Sequence, residues 1–183
     1  MKKILFALFA VLIIIGGLSS CKKLAAAIFG GTNVVVPDVQ VTIPAIVVVS
    51  PSELGLGSYS YYFNLDSAVR ANTAGIFGAK AVSSIKIKQM TITITNADQL
   101  NNLSNFESAR VTLQSDVNNT PVEIFSKTFA DTYAESVTST PTNNPELLSY
   151  LKGSQIVYNM FGKNRRITTK TLNITVSVIL KAS

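Results

Sequence analysis

Apolar and polar residues alternate over much of the chain, with the period of two that lets an extended strand bury one set of side chains and wet the other. The longest such stretch is the last one. Leu172, Ile174, Val176, Val178 and Leu180 share one face, and Thr171, Asn173, Thr175 and Ser177 share the other. A polar stripe of that length predicts an antiparallel sheet with one wetted face, because strands buried on both faces read as unbroken apolar runs. Ile85 and Ile87 alternate with Lys86 and Lys88; the phase then slips, and Met90, Ile92 and Ile94 alternate with Thr91, Thr93 and Thr95. One extra residue restores the inward face after such a slip. The pattern therefore predicts a strand over 82–95 carrying a β-bulge near Lys88 or Gln89.

Other segments follow the same logic. Val39, Val41 and Ile43 alternate with Gln40 and Thr42, and the uncharged Ala45–Val49 run that follows predicts a strand buried on both faces. Pro44 favours an edge or bulge position there, and Pro51 stops the segment. Tyr59, Tyr61 and Phe63 alternate with Ser60 and Tyr62 in a short aromatic strand, after which Asn64 or Asp66 caps a brief helix reaching about Ala71. Asn96 to Asn105 reads as a turn, and strands are predicted over Phe106–Gln114 and Val122–Phe129. The polar stretch from Asp131 to Asn144 is a long loop or a poor edge strand. Pro145 suits a first helical position and Gly153 an end, which predicts a helix over Glu146–Lys152. Gln155–Phe161 and Ile167–Leu180 resemble a hairpin turning about Gly162–Asn164. Roughly seven strands with few helical spans predict a mainly β fold. The expected architecture is an antiparallel β-sandwich, immunoglobulin-like or jelly-roll in type, with a few short helices; a closed barrel is the alternative.

The beginning of the chain has a different character. Met1, Lys2 and Lys3 precede a continuous apolar run from Ile4 to Ile15, broken by Gly16 and Gly17. This is the layout of a secretory signal, and the run is too short for a span that needs about 20 apolar residues. Leu18, Ser19, Ser20 and Cys21 follow: a branched aliphatic, two small residues and a thiol. These four residues resemble the lipobox of bacterial lipoproteins. The resemblance implies cleavage between Ser20 and Cys21, a diacylglyceryl group on the Cys21 sulfur and, commonly, an acylated α-amine. Two or more chains anchor a protein stably where one does not. Lys22 rather than Asp after the cysteine implies, by the same resemblance, the outer membrane, on its periplasmic or cell-surface face. The expected division is a signal peptide over 1–20, a lipidated N-terminus and tether over 21–37, and a β-sandwich over 38–183. Within the tether, Leu24–Phe29 either pack locally or rest on the membrane beside Lys22 and Lys23.

Composition narrows the chemistry. The hydrophobic content is 47% and the charged content 14%, enough apolar surface for a folded core. Lys2 and Lys3 lie in the leader, so its removal lowers the formal charge from +6 to +4, a diffuse excess that gives no reason to expect nucleic acid. With His absent and Cys21 the single cysteine, there is no internal disulfide, and the commonest general base and metal ligand is missing. No cofactor or metal is expected, and no enzymatic activity.

The candidate contacts are correspondingly few. Tyr59, Tyr61 and Tyr62 would form a stacking platform for a sugar if their faces were exposed, or core packing if not. Arg165 and Arg166, with Lys163 and Lys170 nearby, would receive an acidic glycan, a lipid headgroup or a protein carboxylate, or else stand as a solvated tip. Asp66-Ser67-Ala68 resembles the short O-glycosylation motif of some Gram-negative exported proteins, which would place a glycan on Ser67. The expected function is that of a lipid-anchored envelope protein acting as a structural or protein-interaction module. Its expected partners are the membrane, through the anchor, and an envelope protein. A glycan- or lipid-binding carrier is the alternative.

Overall fold

The computed structural model describes residues 29–141 and 143–183. They form eight strands: β1 (Thr32–Ile43), β2 (Leu54–Tyr62), β3 (Ile85–Ile94), β4 (Phe106–Ser115), β5 (Val122–Thr128), β6 (Ser136–Ser139), β7 (Gln155–Asn164) and β8 (Leu172–Ala182). Two short helices, α1 (Leu65–Ala71) and α2 (Leu148–Leu151), lie between β2 and β3 and between β6 and β7. Asn64 caps α1 as expected, its Oδ1 accepting the Ser67 N–H at 2.9 Å.

The strands divide into two antiparallel four-stranded sheets, ordered β1-β8-β3-β6 and β2-β7-β4-β5. Only β4 and β5 are neighbours both in sequence and in a sheet; every other connection carries the chain from one sheet to the other. Eight strands in this double-sheet order make a jelly-roll, which resolves the choice between the two sandwich types. The core lies between the sheets. Ile85, Ile87, Met90, Ile92 and Ile94 of β3 and the six even-numbered apolar residues of β8 are buried there, opposite Val111, Leu113, Ile156, Tyr158 and Met160.

The bulge in β3 falls where the phase slip places it. Ile87 pairs with Leu180 and Gln89 with Ile179, leaving Lys88 as the extra residue. A comparable shift explains why the start of the sandwich was harder to read. The strand β1 begins at Thr32, so residues 32–37, expected in the tether, belong to the sheet. Val34 and Val36 point inward before a two-residue irregularity at Pro37 and Asp38, and Val41 and Ile43 point inward after it, so the segment shows no single alternation. As an edge strand, β1 tolerates Pro37, whose missing N–H costs no ladder bond there.

Three further expectations are corrected. Ala45–Val49 is a loop, and Val47, Val48 and Val49 are exposed; bracketed by Pro44 and Pro51, the run lies where the chain crosses between sheets and joins neither ladder. The segments expected to form the last hairpin lie in opposite sheets, with β7 between β2 and β4 and β8 between β1 and β3. The second helix begins at Leu148, two residues later than expected. The reason is that the preceding residues serve the free edge of β3. Asn144 accepts from the Ile87 N–H at 2.9 Å, the Glu146 carboxylate accepts from the Ile85 N–H at 2.7 Å, and the Leu147 N–H donates to the Ile85 carbonyl at 2.8 Å. Side chains thus continue the ladder where the four-residue β6 stops, covering an edge that would otherwise template aggregation.

Because Lys88 is surplus to the alternation, its deletion keeps Ile85, Ile87, Met90 and Ile92 facing inward and should cost no more than about 1 kcal/mol. Deleting Thr91 instead turns Ile92 and Ile94 into solvent and should abolish cooperative folding. Urea unfolding of the two deletion variants checks this; equal losses would contradict the register.

Candidate functional site

The connections gather at two poles. At one, called here the entry pole, Phe29 joins the fold: it is buried and meets Phe77 edge-on, with centroids 5.3 Å apart. The connections 63–84, 116–121 and 140–154 lie at this pole, as does Ser183, whose carbonyl accepts from the Ser83 and Ser84 N–H groups. The other pole carries the crossings 44–53, 95–105, 129–135 and 165–171. We call it the loop pole. A strand of 12 residues such as β1 separates the two by on the order of 35 Å.

Chain crossing from one sheet to another leaves peptide groups that no ladder satisfies, and buried peptide groups must be paired. At the loop pole, asparagines supply the partners. Asn101, Asn102, Asn105 and Asn164 are buried to within 3% of full enclosure. Asn105 Nδ2 donates to the carbonyls of Leu100 and Ile167, each at 2.8 Å, and its Oδ1 accepts from the Asn102 N–H at 3.0 Å. Asn164 accepts from the Ser50 N–H at 3.1 Å and donates to the Val48 carbonyl at 2.9 Å. Asn101 accepts from the Thr169 N–H at 2.8 Å, and Thr168 Oγ1 accepts from the Ile46 N–H at 2.8 Å. Three crossings are thereby bound to one another through side chains. Among the described residues no buried side-chain polar atom lacks a partner.

On this rigid base stand apolar side chains that face water. Val47 is 77% exposed, Leu100 68%, Val48 66%, with Val49 and Ile167 about half exposed. Their own carbonyls, or those beside them, are the ones the buried amides hold. Loops positioned by a rigid scaffold are where binding residues concentrate, and clustered exposed apolar groups mark interaction surfaces. These residues escaped sequence reading. The signal available was an uncharged valine run closed at both ends by proline, a pattern at odds with a central strand.

Arg165 and Arg166 belong to this pole, but their guanidinium groups are bonded to neighbouring loops, with Arg165 partly buried and Arg166 exposed. Arg165 donates to the carbonyls of Ser104, Phe106 and Phe129 at 3.1–3.3 Å. Arg166 donates to the Ser104 carbonyl and hydroxyl and pairs with Asp131. Lys163 pairs with Glu107 at 2.8 Å and Lys170 with Asp98 at 2.6 Å. The Lys170 ammonium, assisted by the Asn101 amide and the Leu100 N–H, holds the Asp98 carboxyl at about 2, below its ordinary 3.8. These cations brace the loops.

The three tyrosines do not form a platform. Tyr59 and Tyr61 face inward and pack against the core beside Tyr158 and Ile156. The Tyr59 hydroxyl donates to the Thr42 carbonyl at 3.0 Å, and burial pushes its pKa up. A Cβ on Gly57, whose φ is +143°, would lie 2.5 Å from that hydroxyl, which explains glycine there. Tyr62 points the other way, 76% exposed, at the entry pole. Ser67 is exposed in the first turn of α1. Ser20 and Cys21 lie outside the described residues.

A groove of about 560 Å³ opens at the entry pole. Phe63, Leu65, Leu148 and Leu151 contribute to its floor, with Lys80 and Lys152 in its lining. Among the described residues no cluster of His, Cys, Asp or Glu is placed to hold a metal, and no helix is long and apolar enough to cross a membrane.

Fold and site together define a jelly-roll sandwich with a braced, apolar loop pole. No protein-family model and no curated protein matches this sequence. Among solved structures, the chain is similar to the family 32 carbohydrate-binding module of C. perfringens NanJ in complex with galactose, at 8% identity and a TM-score of 0.38 over 80% of this chain and 98% of that one. It is also similar to the decameric BFDV capsid protein, at 10% identity and a TM-score of 0.34 over 84% and 98%. A third likeness, to infectious bursal disease virus Gt strain, has 8% identity and a TM-score of 0.33 over 82% and 32%. Likeness at this level carries no functional inference, and the jelly-roll assignment rests on the strand order itself.

Replacing Asn105 with Ala strands the carbonyls of Leu100 and Ile167 and the Asn102 N–H, and should cost about 2–3 kcal/mol by urea unfolding. The depressed carboxyl of Asp98 means that its bracing of the 95–105 loop is fully present above pH 3.8 and is lost as the pH falls through about 2. An NMR titration of the Leu100 amide should show its midpoint near 2; a midpoint at the ordinary value would contradict the pairing.

Proposed function

We propose that this chain is a lipid-anchored cell-envelope protein whose jelly-roll is a protein-interaction module, docking a partner on the loop pole. The supporting observation is the cluster of Val47, Val48, Val49, Leu100 and Ile167, exposed on crossings that buried asparagines hold in place. Preorganised apolar anchors lose little entropy on binding and dominate interface energetics. The cations of this pole other than Lys127 are already spent on carboxylates and carbonyls, so the partner is read mainly by shape and apolar contact. The lipobox supports the anchor, with Cys21 as the acylated residue and the outer membrane as the site. Because the anchored end enters the fold at the opposite pole, the loop pole faces away from that membrane, which favours a protein over the anchoring bilayer as its occupant.

The glycan-carrier alternative is less well supported, because Tyr59 and Tyr61 place their rings in the core and leave Tyr62 alone.

Mass spectrometry of the mature N-terminus should find acyl groups on Cys21; an unmodified thiol there removes the anchor. Crosslinking in intact envelopes should yield a partner band with the natural chain and with Val35→Asp, an exposed site on the outer face of β1. The double variant Val48→Asp with Leu100→Asp should lower that band at least about tenfold, as loss of buried anchors does. A band of equal strength in both variants would sink the docking assignment.

A further inference from the structure

Charge on this protein is sorted by pole. Arg110, Lys163, Arg165, Arg166 and Lys170, around the loop pole and the upper face of the β2-β7-β4-β5 sheet, each have a carboxylate partner, leaving Lys127 as the exception there. At the entry pole the order is reversed. Arg70 pairs with Asp66, whereas Lys80, Lys86, Lys88, Lys152 and Lys181 are exposed and form no close ion pair among the described residues, Lys80 and Lys86 meeting Asp66 and Glu146 only at longer range. Asp116 and Glu146 lie at this pole too, but they are engaged, which leaves Glu123 near the start of β5 as the exposed carboxylate there. Asp116 accepts from the Ser154 N–H and hydroxyl, and Glu146 accepts from the Ile85 and Leu148 N–H groups.

Lys86 and Lys181 stand directly opposite each other on β3 and β8, on the outer face of the sheet. Like charges in directly opposed positions repel, so this pair does nothing for the sheet. A surface that gathers unpaired lysines at local cost is one that an external anion relieves. The same pole projects Tyr62, Ile76 and Val117, which are 76%, 74% and 59% exposed. An aromatic and two aliphatic side chains beside lysines have the composition of a surface that meets lipid headgroups, where tyrosine rings settle and lysine stems extend to charge.

The path of the chain says which surface that is. Phe29 is seated against Phe77, and Thr32 Oγ1 donates to the Asn72 carbonyl, so the fold holds the chain from residue 29 onward. Only residues 22–28 separate it from Cys21, a reach of about 25 Å at full extension. Two of those residues are Lys22 and Lys23, which add to the same charge.

We infer that the entry pole lies on the anionic bilayer that holds the anchor, with Lys80, Lys86, Lys88, Lys152 and Lys181 against its headgroups and Ile76 at the interface. This inference rests on the lipid anchor proposed above and adds an orientation to it. The anchored domain stands upright, lysine pole down, and presents the loop pole outward. Attraction of clustered lysines to anionic lipid acts within a Debye length, so the short tether is what keeps the pole in range.

The chain contains no tryptophan, so a single one introduced by substitution is a clean reporter. The lipidated mature protein carrying Ile76→Trp, and separately Leu100→Trp, is reconstituted into vesicles of phosphatidylglycerol and phosphatidylcholine with brominated acyl chains. Flotation is measured alongside fluorescence. The reporter at position 76 should be quenched about twofold or more and the one at position 100 left unquenched, with the quenching lost in pure phosphatidylcholine. Combining Lys80→Gln, Lys86→Gln, Lys88→Gln, Lys152→Gln and Lys181→Gln should leave flotation intact and abolish the quenching. Protein that floats with position 76 unquenched, or whose quenching is indifferent to the five substitutions, overturns the orientation alone. Protein that fails to float overturns the anchor, and the orientation with it.

Discussion

Every strand connection in this sandwich except β4–β5 must carry the chain across from one sheet to the other. That single topological constraint explains most of the polar chemistry in the molecule. A crossing segment cannot pair its peptide groups in either ladder, and at the loop pole the cost of leaving them bare is met by Asn101, Asn102, Asn105 and Asn164. Each amide both donates and accepts; Asn101, Asn105 and Asn164 thereby tie two segments together, while Asn102 closes the 95–105 loop on itself. The rigidity of the loop pole, and with it the display of Val47, Val48, Leu100 and Ile167, follows from those bonds.

The entry pole solves the same problem differently. There the crossings are longer and carry their own short elements, α1 and α2 among them, while Asn144 and Glu146 extend the ladder of β3 with side-chain groups. Burial opposes the charge on Glu146, but N–H donors from Ile85 and Leu148 and the Ser84 hydroxyl outweigh it and keep the carboxyl below its ordinary range. With the edges of the sheets occupied in this way, or broken by bulges in β1, β2 and β5, the surfaces left for partners are the two poles. One is apolar and braced by ion pairs; the other is rich in unpaired lysine. The proposed function assigns them to a protein partner and to the anchoring membrane respectively.

Much of the fold was legible because inward and outward positions alternate with a fixed period. The β8 stripe, the bulge at Lys88, the Asn64 cap and the edge character of the 131–144 stretch could each be read from neighbouring residues, since each is decided by contacts within a few positions. The misreadings share a cause. Ala45–Val49 has the composition of a buried strand, and Gln155–Leu180 the spacing of a hairpin, but whether a segment enters a ladder depends on which strands lie beside it. Arg165 and Arg166 looked available for a ligand because the carbonyls of Ser104, Phe106 and Phe129, to which they donate, are distant in sequence.

By itself the sequence determined the class of fold and the inward face of nearly every strand, both of which depend on local pattern and residue chemistry. The order of the strands in two sheets, the side on which each pole gathers its loops, and the exposure of a valine run that composition would bury were decided only by the tertiary structure. The physical reason is that burial is a property of place. A valine is inside when another strand covers it, and that cover comes from residues far along the chain whose arrival no local period encodes.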